Sequence, residues 1–181
     1  MLSFGSTVLW VFGYGSLMFR PSLPFARAEA GFLRGHARRF WQGSPDHRGV
    51  PGAPGRVVTL IAEPHAICWG RAYAIRDDDR EHVLAALDVR EQAGYDRLSV
   101  AVHRADGSVL ASEALVYVAN PANSDWLGPA SLEAIAAQIR VSRGPSGAND
   151  EYVRGLATAL RELGVDDEHV FALDRLCSAP G

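Results

Sequence analysis

Gly13-Tyr14-Gly15-Ser16 is the first segment of the sequence whose residue types and spacing could serve chemistry. The apolar, aromatic and β-branched run 9–14 ends abruptly in Gly15-Ser16, which is typical of a buried strand that ends in a tight loop. Two glycines around a turn let successive backbone N–H groups point into one concavity, which can bind a carboxylate or an oxyanion. An ordinary glycine-rich turn explains the same residues, and the local pattern by itself favours that simpler interpretation.

Two better-known glycine motifs do not fit this loop. A dinucleotide fingerprint needs a third glycine that opens a helix, and a nucleophile elbow needs the order G-x-S-x-G. Ser16 also has no recognisable His or Asp partner in sequence, so a serine-hydrolase triad would depend on long-range proximity that the sequence does not indicate.

Glu91 is the second candidate, because of its position on a predicted helix that begins near Asp78. Leu84, Leu87 and Glu91 would lie on one face at offsets of three and four residues. A carboxylate on an apolar face is partly desolvated, which raises its pKa and makes it a stronger base. The alternative is an ion pair with Arg90 or Arg97 at the helix end, and spacing alone favours that role.

Metal and cofactor chemistry find little support in the sequence. The six histidines are scattered, and no pair has the i, i+4 spacing of a helical metal site, so we assign none of them a role. Cys68 and Cys177, the only two cysteines, are far apart in the sequence and form neither a cysteine-rich zinc motif nor a disulfide framework. The sequence therefore predicts a site without metal or cofactor.

Composition limits the class of protein and its partners. The chain has 181 residues, of which 48% are hydrophobic and 22% charged, so we expect one domain over residues 1–181. The net charge is −3 and lysine is absent, without a long basic run, which makes nucleic acid an unexpected partner. No apolar stretch approaches the ~20 residues that span a bilayer, and no secretion signal is evident at the start. These features predict a cytoplasmic protein, and they leave the oligomeric state open, with a monomer compatible.

The hydrophobic pattern predicts strands in the first two thirds of the chain and mostly helices in the last third. The predicted strands are 9–14, 31–42, 56–62, 67–75, 97–104 and 109–118, and the predicted helices are 78–91, 131–140, 149–163 and 167–176. Pro64 suggests a hairpin connection between the third and fourth strands, and Asp106-Gly107 a tight turn between the last two. This order is typical of an α+β fold with a mixed sheet or small barrel of about six strands, flanked by helices.

A set of ordered segments resembles the ChaC-like family of glutathione-specific γ-glutamylcyclotransferases. The similarity spans nearly the whole chain, and the order of the segments is more specific than any one of them. The matching segments are 11–17, 39–44, 46–52, 55–60, 87–91 with 94–95, Tyr117, 127–130 and 144–152.

This resemblance implies a mixed β-barrel with peripheral helices and a small-molecule substrate, glutathione, cleaved to 5-oxoproline and cysteinylglycine by a lyase reaction. It implies Glu91 as the catalytic acid/base. It also implies a substrate-binding strand and loop, Val11, Phe12, Gly13, Tyr14, Gly15 and Ser16, with Tyr152 lining the same pocket. From the residues alone, Tyr152 could equally be a core residue.

Two other functions remain open at this point. A cyclotransferase for other γ-glutamyl amino acids or for γ-glutamylamines would use the same loop and glutamate. A non-enzymatic regulator of cation transport, suggested by the historical naming of the family, would need neither.

Overall fold

Five strands close into a mixed barrel. The computed structural model describes residues 8–179, except for the side chains of residues 90–92. The strands are β1 (Leu9–Gly13), β2 (Arg27–Ser44), β3 (Gly55–Ile75), β4 (Asp96–His103) and β5 (Val109–Val118). Their order around the barrel is β1-β3-β2-β4-β5, and β1 pairs with β5 in parallel while the other pairs are antiparallel. The predicted mixed barrel is confirmed, with five strands instead of six.

The difference in strand number comes from β3. The predicted hairpin between 56–62 and 67–75 is wrong, because both halves belong to one strand of 21 residues that pairs with β2 along its length. The ladder shifts register between Arg34 and His36, opposite residues 63–66, and this irregularity accommodates Pro64, which cannot donate to the ladder. Gly35 and His65 have positive φ angles of 70° and 69° there. The proline therefore marks a bulge and not a turn.

Four helices flank the barrel close to their predicted positions. They are α1 (Arg80–Gln92), α2 (Leu132–Val141), α3 (Asn149–Glu162) and α4 (Glu168–Ser178). Short 3₁₀ turns cover Ser16–Met18 and Asp77–Asp79, and a two-stranded ladder joins β6 (Arg143–Gly144) to β7 (Gly147–Ala148) before α3. Ser131 caps α2 by accepting a hydrogen bond from the Ala134 N–H at 3.2 Å, as the sequence predicted. The hairpin of β4 and β5 around Asp106-Gly107 is also confirmed.

The first strand is buried on both faces, and this places its C-terminal end between two groups of helices. Trp10 and Phe12 belong to a large apolar cluster that includes residues of α2, α3 and α4. Leu9 and Val11 belong to a smaller cluster with Val83 and Leu87 of α1. The loop that follows β1 is therefore reached by both helical groups. Within residues 8–179, no helix is both long and apolar enough to cross a bilayer.

Candidate active site

The loop after β1 needs its glycines because neighbours approach closely. A Cβ on Gly13 would lie 2.7 Å from the Cβ of Leu17, and a Cβ on Gly15 would lie 2.6 Å from the hydroxyl oxygen of Tyr152. Gly13 is part of a strand, and Gly15 has a φ of −124°, so neither residue occupies the left-handed region. From the sequence alone, these glycines are attributed to the backbone conformations that only glycine adopts easily. The structure shows instead that a side chain at either position would collide with Leu17 or Tyr152.

Ser16 opens the 3₁₀ turn directly after Gly15. The Gly15 carbonyl accepts from the Met18 N–H at 3.0 Å, and the Ser16 carbonyl accepts from the Arg20 N–H at 2.7 Å. The first N–H groups of such a turn have no acceptor within the turn itself. The backbone therefore presents donor groups at the point where β1 ends.

Tyr14 is buried, with 8% of its surface exposed, and its hydroxyl donates to the Tyr117 carbonyl oxygen at 2.7 Å. Burial raises the pKa of the Tyr14 phenol far above its ordinary value, and the phenols of Tyr95 and Tyr152 raise it further. The group is therefore neutral at any physiological pH, and its proton is already used in a hydrogen bond.

Tyr152 reaches the same loop from the first turn of α3. Its ring meets those of Phe19 and Phe40 edge to face, at centroid distances of 5.5 and 5.9 Å, and the Arg48 guanidinium lies 5.7 Å from the ring centroid. Burial raises the pKa of the Tyr152 phenol to about 12, against the opposing effect of a hydrogen bond with the Val58 backbone. The structure thus brings Tyr152 to Gly15 as a neutral hydroxyl held in a fixed orientation.

A third tyrosine, Tyr95, follows the end of α1. Its phenol raises the pKa of both Tyr14 and Tyr152, by less than burial does, and its ring packs against the smaller apolar cluster that contains Leu9 and Val11. Tyr95 directly follows Gly94, whose φ of 78° ends α1 in a left-handed turn. The loop after β1 and the first turn of α3 therefore meet at Gly15, while the turn after α1 packs on the opposite face of β1.

Comparison with known proteins identifies the family to which the chain belongs. The model of the family described as "ChaC-like protein" matches residues 9–179. This chain belongs to the ChaC-like family. The human glutathione-specific γ-glutamylcyclotransferase 1 is 44% identical over 169 residues, which cover 91% of this chain and 76% of the human protein. The zebrafish (Danio rerio) protein of the same name is 42% identical, with 94% and 89% covered.

A solved structure supports the same grouping. The crystal structure of a yeast γ-glutamyl cyclotransferase specific to glutathione matches with a TM-score of 0.87 at 30% identity, covering 95% of this chain and 96% of the yeast chain. The ChaC-like fold of this chain is therefore shared along its length with an enzyme of that name.

The predicted catalytic residue of this ChaC-like chain, Glu91, lies in α1, but its side chain is outside the described residues. The helical face on which it was placed is confirmed, because Val83 and Leu87 are buried and Leu84 is partly buried. Glu91 precedes Tyr95 by four residues, so its backbone is near the turn that packs Tyr95 against the cluster containing Leu9 and Val11 of β1. The role of Glu91 stays a prediction.

Val11 and Phe12 were predicted to bind substrate together with the loop. Both lie in β1 with only 1% and 2% of their surface exposed, and their side chains pack in the two apolar clusters. Their packing fixes the position of β1, and β1 leads into the loop at the candidate site. Their contact with a substrate stays a prediction.

Sequence reasoning assigned no role to Tyr95, although the resemblance included Gly94-Tyr95. The only signal for it was that motif, because Tyr95 lies 81 residues after Tyr14 and 57 before Tyr152 in the numbering. Two surface clefts border β1 and the turn that follows it. One, of about 470 Å³, is lined by Phe19 and the outer face of α3, and the other, of about 580 Å³, by β1, β4, β5 and α1. Tyr14, Gly15 and Tyr152 do not line either cleft, so their mutual contacts define the candidate site.

Proposed function

We propose that this chain cyclises the γ-glutamyl residue of glutathione and releases 5-oxoproline and cysteinylglycine. The observation that carries the proposal is similarity along almost the whole chain, at 44% identity, to a protein named as a glutathione-specific γ-glutamylcyclotransferase. The approach of the Tyr152 hydroxyl to Gly15, beside the buried Tyr14 hydroxyl, supports the same conclusion, because it provides buried polar groups at the segment that the family resemblance selects.

The reaction needs a base and accurate positioning, and no protein nucleophile. The substrate's own α-amino nitrogen attacks the γ-carbonyl carbon, the bond from that carbon to the cysteinyl nitrogen breaks, and the leaving nitrogen takes up a proton. Water is not consumed. Because nucleophile and electrophile belong to one molecule, effective molarities of about 10⁵ M or more are attainable once the chain is held in the folded conformation.

Glu91 is our candidate for the group that moves the proton. A carboxylate can accept a proton from the attacking amine and return it to the leaving amine. The backbone position of Glu91, four residues before Tyr95 in the last turns of α1, supports this role.

The loop residues are proposed to hold the glutamyl end of the substrate. Backbone N–H groups of Gly15 and Ser16 would bind the α-carboxylate or the developing oxyanion, at the end of the strand that contains Val11, Phe12 and Gly13. The Tyr14 hydroxyl already donates to the Tyr117 carbonyl, so its proposed contribution is a fixed wall. The Tyr152 hydroxyl, next to Gly15 and neutral at physiological pH, would donate a hydrogen bond.

A second substrate class calls for a direct comparison. An Arabidopsis relative that is also 44% identical over 171 residues is named γ-glutamylcyclotransferase 2-3, without a named substrate. The same loop and glutamate would serve other γ-glutamyl amino acids or γ-glutamylamines, because the cyclising part of the molecule is the same.

The test is release of 5-oxoproline by the purified chain from reduced glutathione, γ-glutamyl-alanine and γ-glutamyl-lysine, assayed side by side. We expect glutathione to give the highest kcat/KM. A higher value for either of the others would replace glutathione as the substrate, and turnover of none would contradict the enzymatic proposal.

We also propose that the protein acts in the cytoplasm, in keeping with its two free cysteines, Cys68 and Cys177.

A further inference from the structure

Asn123 connects the C-terminal turn of α1 to the barrel through four hydrogen bonds. Its Nδ2 donates to the carbonyl oxygens of Ala93 and Gly94, at 3.0 and 2.9 Å. Its Oδ1 accepts from Nε2 of Gln42 at 3.0 Å and from the Asp125 N–H at 2.9 Å. The side-chain amide has two donor and two acceptor positions, and all four are used.

The orientation of both amides follows from these partners. Ala93 and Gly94 offer carbonyl oxygens, so the nitrogen of Asn123 must face them and its oxygen must face Gln42. Gln42 must then present its nitrogen to Asn123. The other end of the Gln42 amide, Oε1, is buried without a hydrogen-bond partner among the described residues, so the bond to Asn123 is the side-chain hydrogen bond that the structure gives Gln42.

The loop that contains Asn123 is itself fixed to β2. The Gly43 N–H donates to the Asp125 carbonyl at 2.8 Å, and the Leu127 N–H donates to the Trp41 carbonyl at 2.9 Å. Asn123 is 6% exposed and Gln42 is 1% exposed, so water competes little for their hydrogen bonds. The position of Asn123 is therefore fixed relative to the barrel, and its side chain extends from there to the end of α1.

The C-terminal turn of α1 needs such an attachment. Apolar contacts hold the first part of the helix, where Val83 and Leu87 are buried, but Asp88 is exposed and Val89 is 62% exposed. The last carbonyl groups of a helix have no partner within the helix. Asn123 supplies donors just beyond α1, two and three residues after Glu91.

We propose that Asn123, supported by Gln42, is a positioning residue that holds the C-terminal turn of α1, and with it Glu91, at a fixed distance from the loop after β1. The inference rests on the proposed function, because it assigns Glu91 the proton transfer. Displacement of a catalytic group by about 1 Å can lower a rate by about 100-fold. Asn123 would therefore act on the rate of the chemical step more than on substrate binding.

The test compares Asn123→Ala with Asn120→Ala in the full chain. Asn120 lies in the same loop and its side chain also makes two hydrogen bonds, to Asp96 and to the Ala122 N–H, neither of them with Ala93 or Gly94. We would measure kcat and KM for 5-oxoproline release from reduced glutathione. Hydrogen–deuterium exchange across residues 90–95 would be measured on the same samples.

For Asn123→Ala we expect kcat to fall by about 10- to 100-fold, KM to stay within about threefold of the wild type, and exchange to become faster in 90–95 alone. For Asn120→Ala we expect wild-type kcat. A folded Asn123→Ala protein with kcat within about twofold of wild type would overturn the inference. Equally accelerated exchange throughout β2 and β5 would overturn it too.

If Asn123→Ala fails to fold, Gln42→Leu tests whether the attachment of α1 through Asn123 controls the rate. This change removes one hydrogen bond to Asn123 together with the unpartnered Oε1, so the protein should tolerate it well. A fall in kcat of about threefold or more at unchanged KM would support the inference, and wild-type kinetics would overturn it. A wild-type protein inactive on glutathione would instead contradict the proposed function, and exchange in 90–95 would still test the attachment.

Discussion

At the scale of single residues, the hydroxyl of Tyr152 leaves no room for a side chain at position 15. The ring of Tyr152 cannot retreat easily, because Phe19 and Phe40 pack against it edge to face. Gly15 is therefore required by a contact between the loop after β1 and α3, which are far apart in sequence. Its identity is determined by packing at the candidate site.

Gly15→Ala should lower the free energy of unfolding by about 1–3 kcal/mol, because its Cβ would lie 2.6 Å from the Tyr152 hydroxyl oxygen. Adding Tyr152→Phe removes that oxygen and should restore part of the loss. Urea unfolding of the two single variants and the double variant measures this coupling. Additive effects would show that the two residues do not compete for the same space.

Glu91→Gln should leave the fold intact and lower kcat for 5-oxoproline release by about 10²- to 10⁴-fold, because an amide cannot accept the proton of the attacking amine. Glu91→Asp should also fail, since its shorter side chain misplaces the base. Glu81→Gln, an exposed glutamate of the same helix, is the matched control and should behave as wild type. Undiminished turnover by Glu91→Gln would refute the assignment.

At the scale of secondary-structure elements, α4 is attached to the barrel by buried polar contacts as well as by apolar packing. His169 accepts a hydrogen bond from the Phe40 N–H of β2 through Nε2 at 3.0 Å. Asp167 caps α4 by accepting from the Val170 N–H at 3.1 Å, and it also lies 3.5 Å from the buried Arg38 guanidinium. Two predictions about the stability of the folded protein follow from these contacts.

The first concerns pH. Burial, with the charges of Arg39 and Arg38, lowers the pKa of His169 to about 4, whereas the unfolded chain keeps an ordinary value near 6.5. The unfolded state therefore binds the proton first, and stability is lost as the pH falls from about 6.5 towards 4. Between pH 7 and pH 5 we expect a loss of about 2 kcal/mol from this group.

Urea unfolding of wild type and His169→Gln at both pH values measures that loss. Glutamine keeps an acceptor for the Phe40 N–H and does not titrate, so its loss over the same interval should be smaller by about that amount. Equal losses in the two proteins would show that His169 is not the group responsible.

The second prediction about stability compares two helix caps, those of α2 and α4. Ser131→Ala removes only the cap of α2 and should cost about 1 kcal/mol. Asp167→Ala removes the cap of α4 and also leaves Arg38, whose side chain is fully buried, without its carboxylate partner, so it should cost about 3 kcal/mol or more. Thermal and urea unfolding of the two variants would give the difference, and similar costs would contradict a role for the ion pair.

At the scale of the whole molecule, the barrel and three helices share one large apolar cluster, and α1 adds a second against β1. Because β1 contributes to both clusters, neither should unfold without disturbing the other. We propose that the chain forms a single domain. Calorimetry should then show one transition whose van't Hoff enthalpy equals the calorimetric enthalpy, and two resolved transitions would contradict this proposal.

The sequence by itself determined what depends on local pattern. The strand before Tyr14, the stripe of Val83 and Leu87 on α1 and the Ser131 cap follow from spacing and residue type, and the structure confirms each. The ordered motifs also indicate the ChaC-like family, because their combination along the chain is specific where each motif alone is not. Glu91 as the catalytic residue rests on those same motifs.

Only the tertiary structure decided which distant residues meet. It made β3 one strand where Pro64 suggested two, because β2 offers a continuous partner and a bulge absorbs the proline. It explained Gly15 by Tyr152, and it brought Tyr95 against the cluster containing Leu9 and Val11 and Asn123 to the end of α1. Hydrophobic periodicity describes the face of one element at a time, and such contacts depend on how separate elements pack against each other.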